Sequence, residues 1–326
     1  MSGLLPEPSG VPDVAESKDV AHPDLRAAMA RVELRQAASR VSEANEKCLE
    51  EPKEVYEAVF GRWASTHGKV ISKRERDASG MNASSLVYGE IQFRSFGLTL
   101  EKIKNVYGKP GVGTSGARGV MQTPGEGVFY DLGSGAGKPV VAAAALFAFE
   151  RCVGVEFLPG LVKASLDAKA TYEAVGAPLL EAQRGAGGAA RAPAPAVDFF
   201  EADGTDLAAH DWSHADVVFT NSTCFDDSMM VVIARKAAKL KKGAFFITFT
   251  KKLPSVHFDV RESQLYQMSW GGATVFIQQK ADDPLDIPAT DDTPVSAHWS
   301  RCPRPPSLTT RDVLRANPPG GDHVKE

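Results

Sequence analysis

Short apolar runs alternate with segments of helical periodicity through the second half of the chain. The runs end in polar or acidic residues and have the length of buried strands, whereas the segments between them space apolar residues three or four positions apart. The predicted strands cover residues 128–131, 152–156, 197–201, 216–221 and 244–249, and the predicted helices cover 139–149, 161–174 and 228–239. This alternation predicts an α/β fold, a mainly parallel, twisted, Rossmann-like sheet with helices on both faces.

The remaining segments have less regular patterns. Residues 270–279 predict an antiparallel final strand that forms a hairpin with residues 266–269, which closes a core spanning 128–280. Ahead of this core, residues 23–80 predict a small helical segment of two helices separated at Pro52, in which the charged stretch 69–77 is a solvated face or a loop. Biased composition predicts disorder at residues 1–22 and in the tail 281–326, and a surface insertion at residues 176–196.

A glycine-rich turn joins the first strand of the core to its helix, which begins at Pro139. The turn does not match a phosphate-binding loop, because Leu132 stands at the position that needs Gly and Pro139 at the position that needs Ser or Thr. It does not match the dinucleotide fingerprint either, because Lys138 stands at the position of the last Gly. The remaining pattern, an acid followed by alternating glycines, resembles the first motif of class I S-adenosylmethionine-dependent methyltransferases. Glycines let the backbone approach this cofactor, and Asp131 places negative charge near its cationic end.

Polar side chains follow four of the predicted strands at the point where each strand ends. Asp131, Glu156, Asp203 and Asn221 would lie together, because the carboxyl ends of parallel strands meet at one edge of the sheet, where such sheets bind ligands. Glu156 follows the glycine turn by the spacing at which a Rossmann-like unit places a carboxylate on ribose hydroxyls. The sequence therefore predicts one binding site at this edge.

Composition limits the classes of partner. The 326 residues carry a formal net charge of −4, so no overall basic field attracts nucleic acid and any such contact must be local. Lysines at 236–242 and at 251–252 are the clusters that could make it. The four cysteines are too scattered for a zinc site or a disulfide framework, and no apolar run is long enough to span a bilayer, so we expect no metal and no membrane partner.

Several motifs together resemble one family more narrowly. The chain contains Val87-Tyr88-Gly89-Glu90, Asp131-Leu132-Gly133-Ser134-Gly135-Ala136-Gly137, Gly154-Val155-Glu156, an Asn221-to-Phe225 element and Ser269-Trp270. These motifs, spread over residues 86–280, are similar to those of the disruptor-of-telomeric-silencing family, the histone lysine methyltransferases that lack a SET domain. The resemblance implies a Rossmann-like class I methyltransferase fold and transfer of a methyl group to a lysine amine of a nucleosomal core histone.

The resemblance also implies roles for individual residues. The cofactor would be S-adenosyl-L-methionine, its product S-adenosyl-L-homocysteine, and residues 81–127 would include the loop that closes over the methionine end. The implied catalytic residues are Asn221, Tyr88, Glu90 and Phe225, and the implied cofactor-binding residues are Tyr88, Glu90, Asp131, Gly133, Ser134, Gly135, Gly137, Lys138, Glu156, Asp203 and Asn221. The nucleosome would be the partner and the nucleus the location, which only the resemblance indicates; without it we expect a cytoplasmic protein.

The chain departs from the family pattern mainly around the expected lysine channel. Ser222, Thr223 and Cys224 interrupt the family's Asn-Asn-Phe-x-Phe run, and Phe276 and Ile277 stand where tyrosines are expected. Phe225 and Phe276 could line the channel. Two alternatives to a histone methyltransferase stay open: a methyltransferase that acts on a non-histone protein or a small molecule, and a catalytically silent module that binds S-adenosylmethionine.

Overall fold

The computed structural model describes residues 23–44, 47–64, 66–80, 86–185, 192–268 and 271–285. The disorder expected at residues 1–22 lies outside this part of the chain. The tail beyond residue 285 and the Ser269-Trp270 motif also lie outside it.

Seven strands form one sheet with the order β3-β2-β1-β4-β5-β7-β6. Strands β1 to β5 run parallel to one another, and β7 is antiparallel to both of its neighbours. Their bounds are Val128–Leu132 (β1), Arg151–Glu156 (β2), Ala196–Glu201 (β3), Val217–Thr220 (β4), Phe245–Phe249 (β5), Phe258–Met268 (β6) and Gly271–Lys280 (β7). The predicted Rossmann-like sheet with an antiparallel final strand is confirmed, and its order switches beside β1, which places a ligand site at the carboxyl end of that strand.

Eight α-helices accompany the sheet in the described residues. Their bounds are Pro23–Ala44 (α1), Glu50–Phe60 (α2), His67–Ser79 (α3), Phe93–Lys102 (α4), Lys138–Leu146 (α5), Pro159–Thr171 (α6), Ala177–Gly185 (α7) and Asp227–Ala237 (α8). Every residue of α5 is buried, because α2 and α4 cover the side that faces away from the sheet. The helical segment that precedes the sheet therefore completes its core and is not an independent appendage.

Helix α3 corrects the expectation of a loop or a solvated face at residues 69–77. Its buried positions are Gly68, Ser72, Glu75 and Ser79, which recur at helical spacing but carry no large apolar side chain. Apolar periodicity therefore gave no signal there. The sequence feature that does indicate a helix end is Gly80, which follows the last residue of α3 in the left-handed conformation with φ of 66°.

Two further segments differ from expectation. Residues 177–185 of the expected insertion form α7, whose Leu180 is buried in the main core, while residues 186–191 lie outside the described ranges. The hairpin is also longer than expected, because β6 begins at Phe258 and not at Tyr266. Most residues of that edge strand are polar, so the apolar pattern of the sequence does not predict its full length.

The glycine-rich segment between α4 and β1 contains a loop that hydrogen bonds hold against β7. Ser115 Oγ donates to the carbonyl of Tyr107 and accepts from Gln279 Nε2, at 3.0 and 2.7 Å. Thr114 Oγ1 donates to the carbonyl of Lys280 at 2.6 Å. The loop therefore ties the final strand to the start of the sheet.

Replacement of Phe96 by alanine tests the packing of α4 on the sheet. Phe96 is fully buried, and its ring meets those of Phe129 and Phe219 edge to face at 6.0 and 5.1 Å. We expect Phe96→Ala to lower the free energy of unfolding by about 3–5 kcal/mol in urea titrations, because it leaves a cavity between helix and sheet. Val256→Ala, at a position 91% exposed, is the control; equal effects of the two changes would contradict this packing.

Candidate active site

A cleft of about 750 Å³ opens at the carboxyl edge of the parallel strands. Of the polar residues predicted at this edge, Glu156, Asp203 and Asn221 line it directly. Its lining comprises Leu86, Val87, Tyr88, Gly89, Leu132, Gly133, Val155, Glu156, Phe157, Leu158, Leu161, Ala202, Asp203, Gly204, Thr205, Asn221, Phe225, Met229 and Ile233. The cleft is thus largely apolar with a few polar groups, as small-molecule sites are.

The glycine turn forms the floor of the cleft at the end of β1. Its glycines Gly133, Gly135 and Gly137 all have positive φ, between 55° and 85°. A Cβ atom at Gly135 would also overlap the ring of Tyr88, and one at Gly137 would lie 2.5 Å from the ring of Phe199. Backbone conformation and space therefore both require glycine at these two positions.

Asp131, the last acid of β1, lies beneath this turn. Its side chain is 1% exposed, and neither carboxylate oxygen has a hydrogen-bond partner among the described residues. Burial, and secondarily the charge of Glu156, holds the pKa of Asp131 well above its usual value. The buried Ser134 Oγ in the turn is likewise without a partner in the described part of the chain. Two buried polar groups without a hydrogen-bond partner, one at the end of β1 and one in the turn that follows it, indicate a place built for a ligand.

Glu156, at the end of β2, is bound by three backbone amides. Its Oε2 accepts from Gly135 N at 2.8 Å, and its Oε1 accepts from Phe157 N and Leu158 N at 2.8 and 2.9 Å. Burial raises the pKa of Glu156, and the amides oppose that rise. A carboxylate has about four acceptor sites, so three amide bonds leave capacity for one donor from the cleft.

The Tyr88-Gly89-Glu90 element crosses the cleft and is tied to two elements of the sheet. Tyr88 Oη donates to Glu90 Oε1 at 3.0 Å, and Lys138 Nζ, at the start of α5, donates to Glu90 Oε2 at 2.6 Å. Asn221 Nδ2, just beyond β4, donates to the carbonyl of Gly89 at 3.0 Å. Burial, followed by the charge of Glu90, raises the pKa of Tyr88, so the phenol stays protonated and donates this bond.

Asp203 lies at the far end of the cleft, beyond β3. Its Oδ1 accepts from the amide and the hydroxyl of Thr205, at 2.8 and 2.7 Å, so the carboxylate also stabilises its own turn. Gly204 lines the cleft, and its carbonyl accepts from Trp212 Nε1 at 2.7 Å. The turn is therefore fixed by hydrogen bonds on both sides of Gly204.

The two phenylalanines expected to line a lysine channel lie in different places. Phe225 lines the cleft, and its ring reaches Gly133, where an added Cβ would lie 3.7 Å from it. Phe276 lies on β7 opposite Thr248 and is not part of the cleft lining, and Ile277 is buried opposite Ile247. The sheet thus brings only the first of the two to the site.

Helix α3 contributes to the site in a way the sequence did not reveal. Ser72 Oγ donates to the carbonyl of Leu86 at 2.9 Å, which anchors the segment that leads to Tyr88. Gly68 leaves room for the Tyr88 ring, because a Cβ atom there would overlap it. Glu75 accepts from Gly160 N, at the start of α6, at 2.6 Å. The helix therefore supports both walls of the cleft.

The basic clusters considered for nucleic-acid contact are partly engaged within the chain. Lys236 is 1% exposed, Lys241 pairs with Asp216 at 2.7 Å, and Lys251 pairs with Asp227 at 2.6 Å. Among the described residues, no three His, Cys, Asp or Glu side chains stand close enough to hold a metal ion. None of the described helices is long and apolar enough to cross a membrane.

Comparison with known proteins adds a family match to this geometry. Residues 118–269 match the family model described as histone methylation protein DOT1. This is the disruptor-of-telomeric-silencing family, so the resemblance carried by the motifs is confirmed over this part of the chain, together with the prediction of a methyltransferase. No curated protein matches the chain.

Several solved structures are similar at low identity. The rRNA methyltransferase aviRa from Streptomyces viridochromogenes has 13% identity and a TM-score of 0.42, with 64% of this chain and 93% of that chain covered. The putative methyltransferase yhhF from Escherichia coli has 12% identity and a TM-score of 0.36, with 48% and 78% covered. The fold class follows from the strand order of the sheet itself and not from these likenesses.

An Asp131→Asn variant tests whether the buried carboxylate destabilises the ligand-free protein. A raised pKa means that the folded state binds the proton more tightly than the unfolded state, so stability falls as pH rises through the interval between the two pKa values. Without cofactor, we expect Asp131→Asn to increase the free energy of unfolding by about 1–3 kcal/mol at about pH 7.5, with a smaller gain near pH 4. Urea titrations at both pH values measure this, and an unchanged or lower stability at pH 7.5 would contradict it.

Proposed function

We propose that the chain is an S-adenosylmethionine-dependent methyltransferase that transfers a methyl group to a lysine amine of a nucleosomal core histone. The observation that carries the proposal is the buried, unpartnered Asp131 carboxylate beneath a glycine turn that lines a cleft. The ionised form of such a buried carboxylate is favourable only when a cation binds next to it. The cofactor brings an ammonium and a sulfonium.

The residues around the cleft fit this cofactor. Asp131 and Ser134 would hold the ammonium of its amino-acid part, and the backbone at Gly133 would lie against its chain. The remaining acceptor capacity of Glu156 suits a ribose hydroxyl, and Asp203 lies where the adenine amine would reach it. Tyr88 and Glu90 would close over the methionine end.

The protein must align the acceptor, exclude water and keep the amine neutral. When bound, the cofactor would supply an electrophilic methyl group on its sulfonium, and an amine attacking that methyl carbon in line would displace the sulfur as the neutral thioether of S-adenosyl-L-homocysteine. Asn221 and Phe225 line the same cleft as Glu156, and we assign them to orient a lysine amine, with Val87 and Met229 as apolar lining that limits the access of water to it. An apolar channel lowers the pKa of that lysine, so the amine loses its proton to solvent before it reacts.

The histone substrate and a nuclear location come from the family match. The matched family is described by histone methylation, and Tyr88, Glu156 and Asn221 of the implied site line one cleft. A nucleosome presents both basic histone tails and an acidic surface, so an overall acidic enzyme can bind it through local basic residues. Lys239, Lys242 and Lys252 are candidates for that contact.

A second candidate is methylation of a non-histone protein or a small molecule. The observation that favours it is the altered channel: Thr223 Oγ1 donates to Asn221 Oδ1 at 2.8 Å and also lies 3.0 Å from Thr250 Oγ1. Thr250 has a φ of 69°, which is rare and strained for a β-branched residue. This polar arrangement stands where the family pattern has an apolar aromatic residue.

Methyl transfer from labelled S-adenosylmethionine to reconstituted nucleosomes, free core histones and a non-histone lysine protein separates the two candidates. We expect label on nucleosomal histone and a rate about a hundredfold lower in Asp131→Asn, because a buried charge pair with the cofactor is broken. Label on the non-histone protein alone would support the second candidate, and label on free core histones alone would contradict a nucleosomal substrate. Cofactor binding without label on any acceptor would leave a silent binding module.

The bond from Asn221 to Gly89 gives a second test. We expect Asn221→Ala to weaken binding of S-adenosylhomocysteine about tenfold in titration calorimetry, because the Tyr88-Gly89-Glu90 element loses a tie of about 1 kcal/mol or more. Thr223→Val is the matched control, since it removes the hydroxyl bonded to Asn221 Oδ1 but leaves the bond to Gly89. Equal losses in both variants would show that this bond does not hold the element.

A further inference from the structure

Glu75 is a buried acid that the proposed chemistry does not use. It lies on the inner face of α3 and is 4% exposed. Its Oε1 accepts from Gly160 N at 2.6 Å, while its buried Oε2 has no hydrogen-bond partner within the described ranges. A half-satisfied buried carboxylate is costly, so its presence calls for an explanation.

The start of α6 depends on Glu75 for a cap. Leu158 occupies the N-cap position and has no side chain that can accept a hydrogen bond, and Pro159 has no amide hydrogen. The amides of Phe157 and Leu158 already bind Glu156. The Gly160 amide is bound by Glu75, so two carboxylates from different elements hold the single turn between β2 and α6.

This turn is a wall of the cofactor cleft, to which Phe157, Leu158 and the following Leu161 all contribute. Gly160 makes the close approach possible, because a Cβ atom there would lie 2.5 Å from Glu75 Oε1 and 3.0 Å from Ile71. Any movement of Glu75 therefore moves the segment that presents Glu156 and the apolar wall to the cleft.

We propose that Glu75 is a positioning residue for the cofactor: through Gly160 it sets the turn that carries the ribose-binding Glu156, and so couples the helical segment to cofactor affinity. The inference rests on the proposed function, since it takes the cleft to be the S-adenosylmethionine site. It concerns a residue of α3, which lies outside the matched range 118–269.

The charges that act on Glu75 make this role dependent on pH. Burial raises its pKa to about 7, the Gly160 amide opposes the rise, and Glu156 on β2 and Glu201 on β3 add to it. The ionised form accepts the stronger bond from Gly160 N and faces the positive end of α6, whereas the protonated form holds the turn more weakly. Cofactor affinity should therefore gain from the ionisation of Glu75 as pH rises through 7.

The test compares the dissociation constants of S-adenosylhomocysteine for the full-length wild type and Glu75→Gln from about pH 6 to pH 8.5. Glutamine imitates the protonated acid, so we expect a ratio of the two constants near 1 at the low end and about fivefold at the high end. Asp131 and the ligand titrate in the same way in both experiments, so their titration does not change the ratio of the two dissociation constants. Glu101→Gln, a change at a buried acid of α4 that accepts a hydrogen bond from Asn105, should give a ratio near 1 throughout.

A coupling experiment separates positioning from general stability. We expect Gly160→Ala to weaken binding in the wild type, where the new methyl group displaces Glu75, but to have a smaller further effect in a Glu75→Ala background, where only Ile71 remains close to it. Thermal unfolding of each variant without ligand shows whether it is folded at the binding temperature.

The outcomes distinguish failure of the proposed methyltransferase function from failure of the positioning role of Glu75. If the folded wild type binds no S-adenosylhomocysteine, the proposed function fails and this inference fails with it. If the wild type binds but the Glu75→Gln ratio is constant with pH, or the effects of Gly160→Ala and Glu75→Ala simply add, Glu75 is only structural and the methyltransferase assignment stands.

Discussion

The burial of the Asp131 carboxylate at the end of the central strand is the constraint on which the rest of the site depends. A charge in that place, with no partner in the described part of the chain, opposes folding. The strands, helices and glycine turn must therefore be stable enough to hold it, and the ligand that binds there must be cationic. The fully buried α5, covered by α2 and α4, supplies this rigidity directly behind the turn.

The helical segment ahead of the sheet belongs to the site as much as the strands do. Helix α2 covers α5, and Phe60 of α2 lies under the Lys138 ammonium that pairs with Glu90, 5.9 Å from ring centroid to Nζ. Helix α3 anchors the segment that leads to Tyr88 and caps α6 through Glu75. The cleft is thus bounded and supported by elements far apart in sequence.

The sequence predicted the sheet and the strand-end acids because both follow from strong local patterns. Apolar runs ending in Asp131 and Glu156 indicate parallel strands, and the topology of such sheets brings their carboxyl ends together. Helix α3 and Glu75 could not be predicted in the same way, since the inner face of that helix is made of glycine, serine and glutamate. Its packing is defined by the partners that it meets, which are the Tyr88 ring and the Gly160 amide. The full length of β6 could not be predicted for a related reason. An edge strand exposes most of its side chains, so its residues do not form an apolar run.

The most direct test of the account is the binding of S-adenosylmethionine to the wild type and to Asp131→Asn, measured by titration calorimetry at neutral pH. We expect one site per chain in the wild type and a loss of affinity of about a hundredfold in the variant, since the cationic end of the cofactor loses a buried counter-charge that has no hydrogen-bond partner in the described residues. Equal affinity of the two proteins would contradict it, because the buried carboxylate would then serve something other than the cofactor.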